Sequence, residues 1–93
     1  MVEQAALRVL VTGRVQRVYF RAFVLQHAGT LGLRGWVRNH SDGRVKVRAE
    51  GERGSLESLL GHLETGPPGA RVDGVEVGWS DYRGELGSFE IRD

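Results

Sequence analysis

The chain has 93 residues, of which 40% are hydrophobic and 27% charged, and this balance is typical of one small globular domain. A formal net charge of +1 provides no strong attraction to polyanions, so we expect neither nucleic acid nor a membrane as a partner. The chain lacks cysteine, which excludes disulfides and thiolate sites and is compatible with a cytoplasmic location.

The amino-terminal stretch carries Glu3 and Gln4 and no long apolar run, so we expect no signal peptide. Met1–Ala6 is expected to be a frayed leader before a single domain, residues 1–93, with a core of about 7–92. Leu7–Thr12 then predicts a strand, and its nearly continuous apolar character suggests that it is covered on both faces.

The stretch Gly13–Arg21 connects this strand to a predicted helix, which runs from about Tyr19 to Leu31 with one apolar stripe. A loop that enters a helix presents unpaired backbone N–H groups and the positive end of the helix dipole, which together attract anions. Arg21 lies in the first helical turn, where its guanidinium can bind two phosphate oxygens at once. The alternative is that Arg21 is an ordinary solvated helix residue.

Two further strands are predicted at Arg34–Asn39 and Arg44–Ala49, and Asp42-Gly43 favours a hairpin turn between them. The second of these strands alternates apolar and basic residues, which indicates that only one of its faces is buried. Leucines at helical spacing predict a second amphipathic helix, which is either capped by Ser55 or begins a turn earlier.

Gly66-Pro67-Pro68-Gly69 ends this helix, and the valines that follow predict a fourth strand through Trp79 that is irregular near Gly74. A polar turn and a short strand containing Phe89 and Ile91 complete the chain. The order strand-helix-strand-strand-helix-strand predicts an α+β, ferredoxin-like βαββαβ fold. Two helices would cover one face of a four- to five-stranded, mostly antiparallel sheet.

Two motifs resemble those of a known family. Gly13–Arg21 reads G-R-V-Q-R-V-Y-F-R and resembles the acylphosphatase signature G-x-V-Q-G-V-x-F-R. Residues 35–43 resemble the second signature of that family, G-W-V-R-N-x-x-D-G, and Gly66–Val72 is also similar to a common family sequence. The resemblance extends from about Leu7 to Arg92.

This resemblance implies a ferredoxin-like hydrolase that cleaves the carboxyl–phosphate bond of acyl phosphates, such as acetyl or carbamoyl phosphate, without a metal or cofactor. It implies that Arg21 binds the phosphoryl group and that Asn39 orients the attacking water. It also implies that backbone amides cradle the phosphate, contributed by Val15, Gln16, Arg17, Val18, Tyr19 and Phe20. The expected partners are therefore a small acyl phosphate and the phosphate product, and we expect a monomer.

Elementary chemistry agrees with this reading. The carboxylate leaving group of an acyl phosphate has a low pKa, so positioning and charge stabilisation can suffice without a strong acid or base. An amide cannot accept a proton at neutral pH, so the proton of the water would pass to the phosphate of the substrate or to solvent.

Arg17 departs from the family pattern, which has glycine at this position. If the loop requires positive φ there, arginine would be strained by about 1–2 kcal/mol. The simpler expectation is ordinary φ with a solvated side chain, and the alternative is a second cation at the mouth of the phosphate site.

The sequence also offers alternatives to the acylphosphatase interpretation, both for single residues and for the function. His27, His40 and His62 lack metal-ligand spacing, and Asp42 is better explained as a turn residue than as a base. The carboxylates of Asp93 could lie near Arg21 or belong to a mobile tail. The alternative functions are a non-catalytic anion-sensing or interaction domain, and an RNA-binding module using the face of Arg44, Lys46 and Arg48, although no RNP-type aromatic motif is visible.

Overall fold

The computed structural model describes residues 2–93, which form two helices and five strands. In chain order these are β1 (Gln4–Arg14), α1 (Phe20–Thr30), β2 (Arg34–Asn39), β3 (Val45–Glu52), α2 (Arg53–Thr65), β4 (Arg71–Asp81) and β5 (Glu90–Arg92). The predicted ferredoxin-like order is therefore confirmed, with β5 as a short additional strand.

The five strands form one sheet in the order β4-β1-β3-β2-β5. All neighbouring strands are antiparallel except β5, which runs parallel to β2 and places Ile91 beside Val37. The predicted irregularity near Gly74 is present as a shift in register between Thr12 and Gly13, on the β1 residues that face this part of β4. The parallel edge strand brings the end of the described chain close to the end of β2.

Both helices pack on one face of the sheet. In β1, Leu7, Val9 and Val11 are buried beneath them, whereas Arg8 and Thr12 are exposed on the opposite face. The expectation that this strand is covered on both faces is therefore wrong, because both helices lie on the same side. The remaining core comes from the apolar stripes of the helices: Phe20, Val24, Ala28, Leu56, Leu59 and Leu63.

Two boundary predictions need correction. Gln4–Ala6 belongs to β1 rather than to a frayed leader, and Ala5 and Ala6 are buried because strands pair with them on both sides. Met1, the first residue of that predicted leader, lies outside the described residues. Ser55 does not cap α2, since the helix begins at Arg53 and places Ser55 within its first turn.

A buried carboxylate holds the connection between β4 and β5. Glu50 lies on the face opposite the helices, and only 3% of its surface is exposed. Its two oxygens accept hydrogen bonds from four consecutive backbone N–H groups, those of residues 83–86, at 2.8–3.2 Å. Burial raises the pKa of Glu50, but these four donors outweigh that effect and hold its pKa below the ordinary value. Glu50 thus anchors the segment that delivers β5 to its edge.

Candidate active site

The loop between β1 and α1 has an unusual backbone. Arg17 and Tyr19 both adopt left-handed conformations, with φ of 63° and 61°, while Val18 between them does not. Alternation of hand along successive residues turns their N–H groups toward one concave side, as in anion-binding nests. Among residues 2–93, no protein acceptor receives a hydrogen bond from the N–H groups of residues 15–20. These donors are therefore available to a ligand.

Arg21 lies in the first turn of α1, directly after this loop. Its side chain is about one-third exposed, so the guanidinium can meet a ligand from solvent without a full loss of hydration. The N-terminus of α1 adds a partial positive charge on the same side of the molecule as the Arg21 guanidinium. The loop and Arg21 together make a positively charged concave surface.

A cavity of about 380 Å³ opens at this surface. Its wall comes from the loop, the start of α1, the end of β2 and β5, and its residues are Val15, Arg17, Tyr19, Phe20, Arg21, Ala22, Asn39 and Ile91. Arg21 and Asn39, which are 18 positions apart in the sequence, thus line the same cavity. No carboxylate belongs to this wall, which carries cations, backbone donors and one carboxamide.

Asn39 is held at the cavity by the hairpin that follows β2. The backbone N–H of His40 donates to the carbonyl of Arg44 at 2.7 Å, and the N–H of Gly43 donates to the carbonyl of His40 at 3.1 Å. The side chain of Asp42 accepts the N–H of Arg44 at 3.0 Å and binds its guanidinium. These hydrogen bonds and the charge of Arg44 lower the pKa of Asp42 to about 2. Asp42 is therefore a turn residue, as predicted.

Comparison with known proteins decides the family. A family model described as acylphosphatase matches residues 7–91. An acylphosphatase of Anaeromyxobacter dehalogenans is 50% identical over 92 residues, which cover 99% of each chain. The chain belongs to the acylphosphatase family. It is therefore a member of a family of hydrolases that act on small acyl phosphates and release phosphate.

Solved acylphosphatases share the fold described above. The crystal structure of the acylphosphatase from Bacillus subtilis has a TM-score of 0.92 at 37% identity and covers 96% of this chain and 99% of its own. The acylphosphatase from Coxiella burnetii has a TM-score of 0.90 at 38% identity and covers 97% and 94%. The likeness therefore extends over the whole domain, including the elements that form the cavity.

Arg17 is the residue at which this chain departs from the acylphosphatase signature. Its φ of 63° corrects the expectation of an ordinary backbone there. The loop keeps the left-handed conformation that glycine would adopt freely, at a cost for arginine of about 1–2 kcal/mol. Gly13, which begins the loop, has φ of 130°, and a Cβ there would collide with the backbone carbonyl of Arg71. Close packing against β4 therefore requires glycine at the start of the loop.

The cavity does not include every residue that the acylphosphatase resemblance suggested. The side chain of Gln16 points away toward the hairpin, and Val18 packs against the core, so only their backbone N–H groups could serve a ligand. Ala22 and Ile91 also line the cavity, although no motif or spacing in the sequence selects them. Ile91 belongs to the cavity wall because β5 pairs in parallel with β2, and no local pattern in the sequence signals that pairing.

Asp93 lies near Arg21, in agreement with the first of the two alternatives given for it above. Its side-chain oxygen is 3.9 Å from the Arg21 guanidinium, but the Asp93 side chain is fully exposed. A contact of this length in solvent contributes little to stability, so Asp93 has only a weak effect on the orientation of the Arg21 side chain.

The three histidines lie outside the cavity wall. His40 closes the hairpin turn, and its Nδ1 is 3.1 Å from a carboxylate oxygen of Asp42. His27 of α1 and His62 of α2 stack with ring centroids 3.8 Å apart. Within residues 2–93 no three His, Asp or Glu side chains are placed to hold a metal ion, and neither helix has the length and hydropathy to cross a bilayer.

Proposed function

We propose that this chain hydrolyses the carboxyl–phosphate bond of small acyl phosphates by direct attack of water on the phosphoryl group. The observation that carries this proposal is that Arg21, the unpaired loop amides and Asn39 surround one cavity. The proposed unit is a single domain, residues 1–93, acting as a cytoplasmic monomer. Its lack of cysteine suits a reducing compartment.

In the proposed mechanism, Arg21 and the backbone N–H groups of residues 15–20 hold the three phosphoryl oxygens. These donors are fixed by the backbone before substrate arrives, so they stabilise the developing charge without reorganisation. The left-handed turns at Arg17 and Tyr19 direct the donors inward. The charge of Arg17 at the cavity wall adds a second cation to the phosphate site.

Asn39 then orients water in line with the bond that breaks. A new bond forms between the water oxygen and phosphorus, and the bond from phosphorus to the carboxylate oxygen breaks with its electron pair leaving on the carboxylate. The proton of the water passes to the phosphate that forms or to solvent. The residues of the cavity wall include no carboxylate, and the carboxylate of Asp93 near Arg21 is fully exposed, so we assign no general base.

The acyl group faces an apolar part of the same cavity. Tyr19 is 85% exposed at the mouth, and Ile91 is 40% exposed on β5. These side chains and Ala22 offer mainly apolar contact area, and the hydroxyl of Tyr19 is their single polar side-chain group. We therefore infer broad acceptance of small acyl groups, with binding dominated by the phosphoryl end.

The decisive experiment is hydrolysis of a model acyl phosphate, benzoyl phosphate, with and without a chelator. We expect turnover that a chelator does not change and that inorganic phosphate inhibits competitively. A phosphate monoester such as p-nitrophenyl phosphate, whose leaving group is poorer, should be hydrolysed far more slowly. Phosphate binding without any hydrolysis of benzoyl phosphate would favour the anion-sensing alternative instead.

A further inference from the structure

The sheet face opposite the helices carries a cluster of cations around one aromatic residue. We call this cluster the basic face and define it by Arg8, Trp36, Arg38, Lys46 and Arg48. In the strand register, Arg8 is opposite Arg48, Trp36 is opposite Arg48, and Arg38 is opposite Lys46. Side chains at directly opposed positions lie on the same side of a sheet, so these residues form one continuous surface across three strands.

This arrangement opposes like charges. Directly opposed residues of the same charge destabilise an antiparallel pair, and the basic face contains two such pairs, Arg8 with Arg48 and Arg38 with Lys46. None of the four forms an ion pair with any carboxylate of residues 2–93. The nearby carboxylates have other partners: Glu50 binds backbone amides, Glu76 binds Arg44, and Glu90 binds Arg92.

Trp36 lies at the centre of these charges. The charged groups of Arg38, Lys46 and Arg92 are 5.7, 5.9 and 5.3 Å from the centroid of its ring. The Nε of Arg38 is also enclosed without a hydrogen-bond acceptor in the part of the chain that the structure describes. An arginine with an unsatisfied donor gains a hydrogen bond if its guanidinium turns toward an anion.

We propose that the basic face binds single-stranded nucleic acid. Its cations are spread over three strands instead of converging on one point, so they fit a chain of phosphates better than one phosphate. Trp36 offers an aromatic surface on which an unpaired base can stack, and a sheet face with such a platform suits a single strand. The net charge of the whole chain predicted no nucleic-acid partner, but the distribution of that charge leads to the opposite inference.

The basic face is separate from the phosphate cavity. None of its five residues belongs to the cavity wall, which lies at the end of β2 and the start of α1.

Binding of a strand to the basic face would depend on salt, since phosphate contacts release counterions. For three to four contacted phosphates, the logarithm of the binding constant should fall with the logarithm of salt concentration at a slope of about −2 to −3.

The test is fluorescence anisotropy of labelled U12 and dT12 with the full chain, at several salt concentrations. We expect binding of both strands with the stated salt dependence, because the site has no feature that reads the 2′-hydroxyl. Arg48→Glu should weaken binding by about fivefold to tenfold, since it removes one phosphate contact and adds a repulsion. Trp36→Leu should weaken it by about fivefold or more and abolish the quenching of tryptophan fluorescence by the strand.

Arg53→Glu is the control, because it makes the same change of charge at the start of α2, in the helix layer on the other side of the sheet from the basic face. Circular dichroism and benzoyl phosphate turnover report whether each variant is folded. Equal binding by Arg48→Glu and Arg53→Glu would overturn the proposal. Preference for duplex over single strands would also overturn it, as would binding of anionic lipid vesicles in the absence of strand binding.

Discussion

The side-chain amide of Gln16 donates a hydrogen bond of 2.8 Å to the backbone carbonyl of His40. The same nitrogen lies 3.0 Å from the carbonyl of Arg44, so one side chain bridges both sides of the hairpin turn. Gln16 belongs to the loop that precedes Arg21, and His40 directly follows Asn39. This link is half-buried and joins the phosphate-binding side of the proposed site to the residue that would orient water. We therefore propose that Gln16 positions the two sides of the site relative to each other.

Replacing Gln16 by alanine should lower kcat by about tenfold to a hundredfold, because a shift of about 1 Å between reacting groups can cost that much. Stability should fall by about 1–3 kcal/mol from the lost hydrogen bonds. The measurements are kcat and KM for benzoyl phosphate and a urea unfolding curve. Gln26→Ala, an exposed glutamine of α1, is the control. A kcat within twofold of the original would show that Gln16 does not position the site.

Alanine variants of Arg21 and Asn39 should lose activity in different ways. Arg21→Ala should remove most phosphate binding as well as turnover, with a loss in kcat/KM of about a hundredfold to a thousandfold, since it removes charge at the phosphoryl oxygens. Asn39→Ala should reduce kcat while leaving inhibition by phosphate nearly unchanged. Steady-state kinetics with phosphate as inhibitor separate the two. Arg14→Ala, on β1 and outside the cavity wall, should retain activity. Full activity in both site variants would refute the assignment.

Arg17→Gly should have two opposite effects. It relieves strain of about 1–2 kcal/mol at φ of 63°, which glycine entropy in the unfolded chain partly offsets, so a small net stabilisation of about 0.5–1 kcal/mol is expected. It also removes a cation from the cavity wall, so inhibition by phosphate should weaken. Arg17→Lys keeps a charge at the same backbone position and should retain inhibition. If phosphate inhibits Arg17→Gly as strongly as the original chain, the charge of Arg17 has no role in binding.

Glu50→Gln should destabilise the domain by about 1–3 kcal/mol, because one end of the carboxamide becomes a donor that faces backbone donors. The pKa of Glu50 lies below its ordinary value of 4.5, so its charged form stabilises the fold above that pH, and this contribution is lost as pH falls through the lowered pKa. Unfolding by urea at pH 7 and at pH 3.5 should therefore show a smaller loss of stability for Glu50→Gln than for the original chain. Glu57→Gln, on the exposed side of α2, provides the comparison. Identical pH dependence in all three chains would contradict this role.

The stacked pair His27 and His62 should make stability sensitive to mild acid. Burial, and then the proximity of His62, lower the pKa of His27 from its ordinary value of 6.5. The unfolded chain therefore binds a proton more readily, so stability should fall as pH drops below about 6.5 until the lowered pKa is passed. His27→Gln should reduce this slope in urea unfolding between pH 7.5 and 5, whereas His40→Gln in the hairpin should leave it. An unchanged slope in His27→Gln would exclude the pair as its cause.

Local patterns were sufficient to predict most of the fold. The alternation from Arg44 to Ala49 and the Asp42-Gly43 turn predicted the hairpin, because period two and positive φ are written in adjacent residues. The spacing of the leucines predicted α2 in the same way. The approximate position of the site was also predictable, since a loop followed by a helix start and an arginine is a local anion site.

Motifs and periodicity in the sequence were enough to predict the family, the order of elements and the residues proposed for the site, because these signals lie in short stretches of neighbouring residues. Which residues meet in space depends on the tertiary fold: Ile91 reaches the cavity through parallel pairing with β2, Gln16 turns to the hairpin, and Arg17 adopts a left-handed backbone. It also decided how charge is distributed, gathering unpaired cations on one sheet face although the whole chain carries only +1. Long-range pairing sets these features, and a net charge or a local motif contains no information on which strands become neighbours.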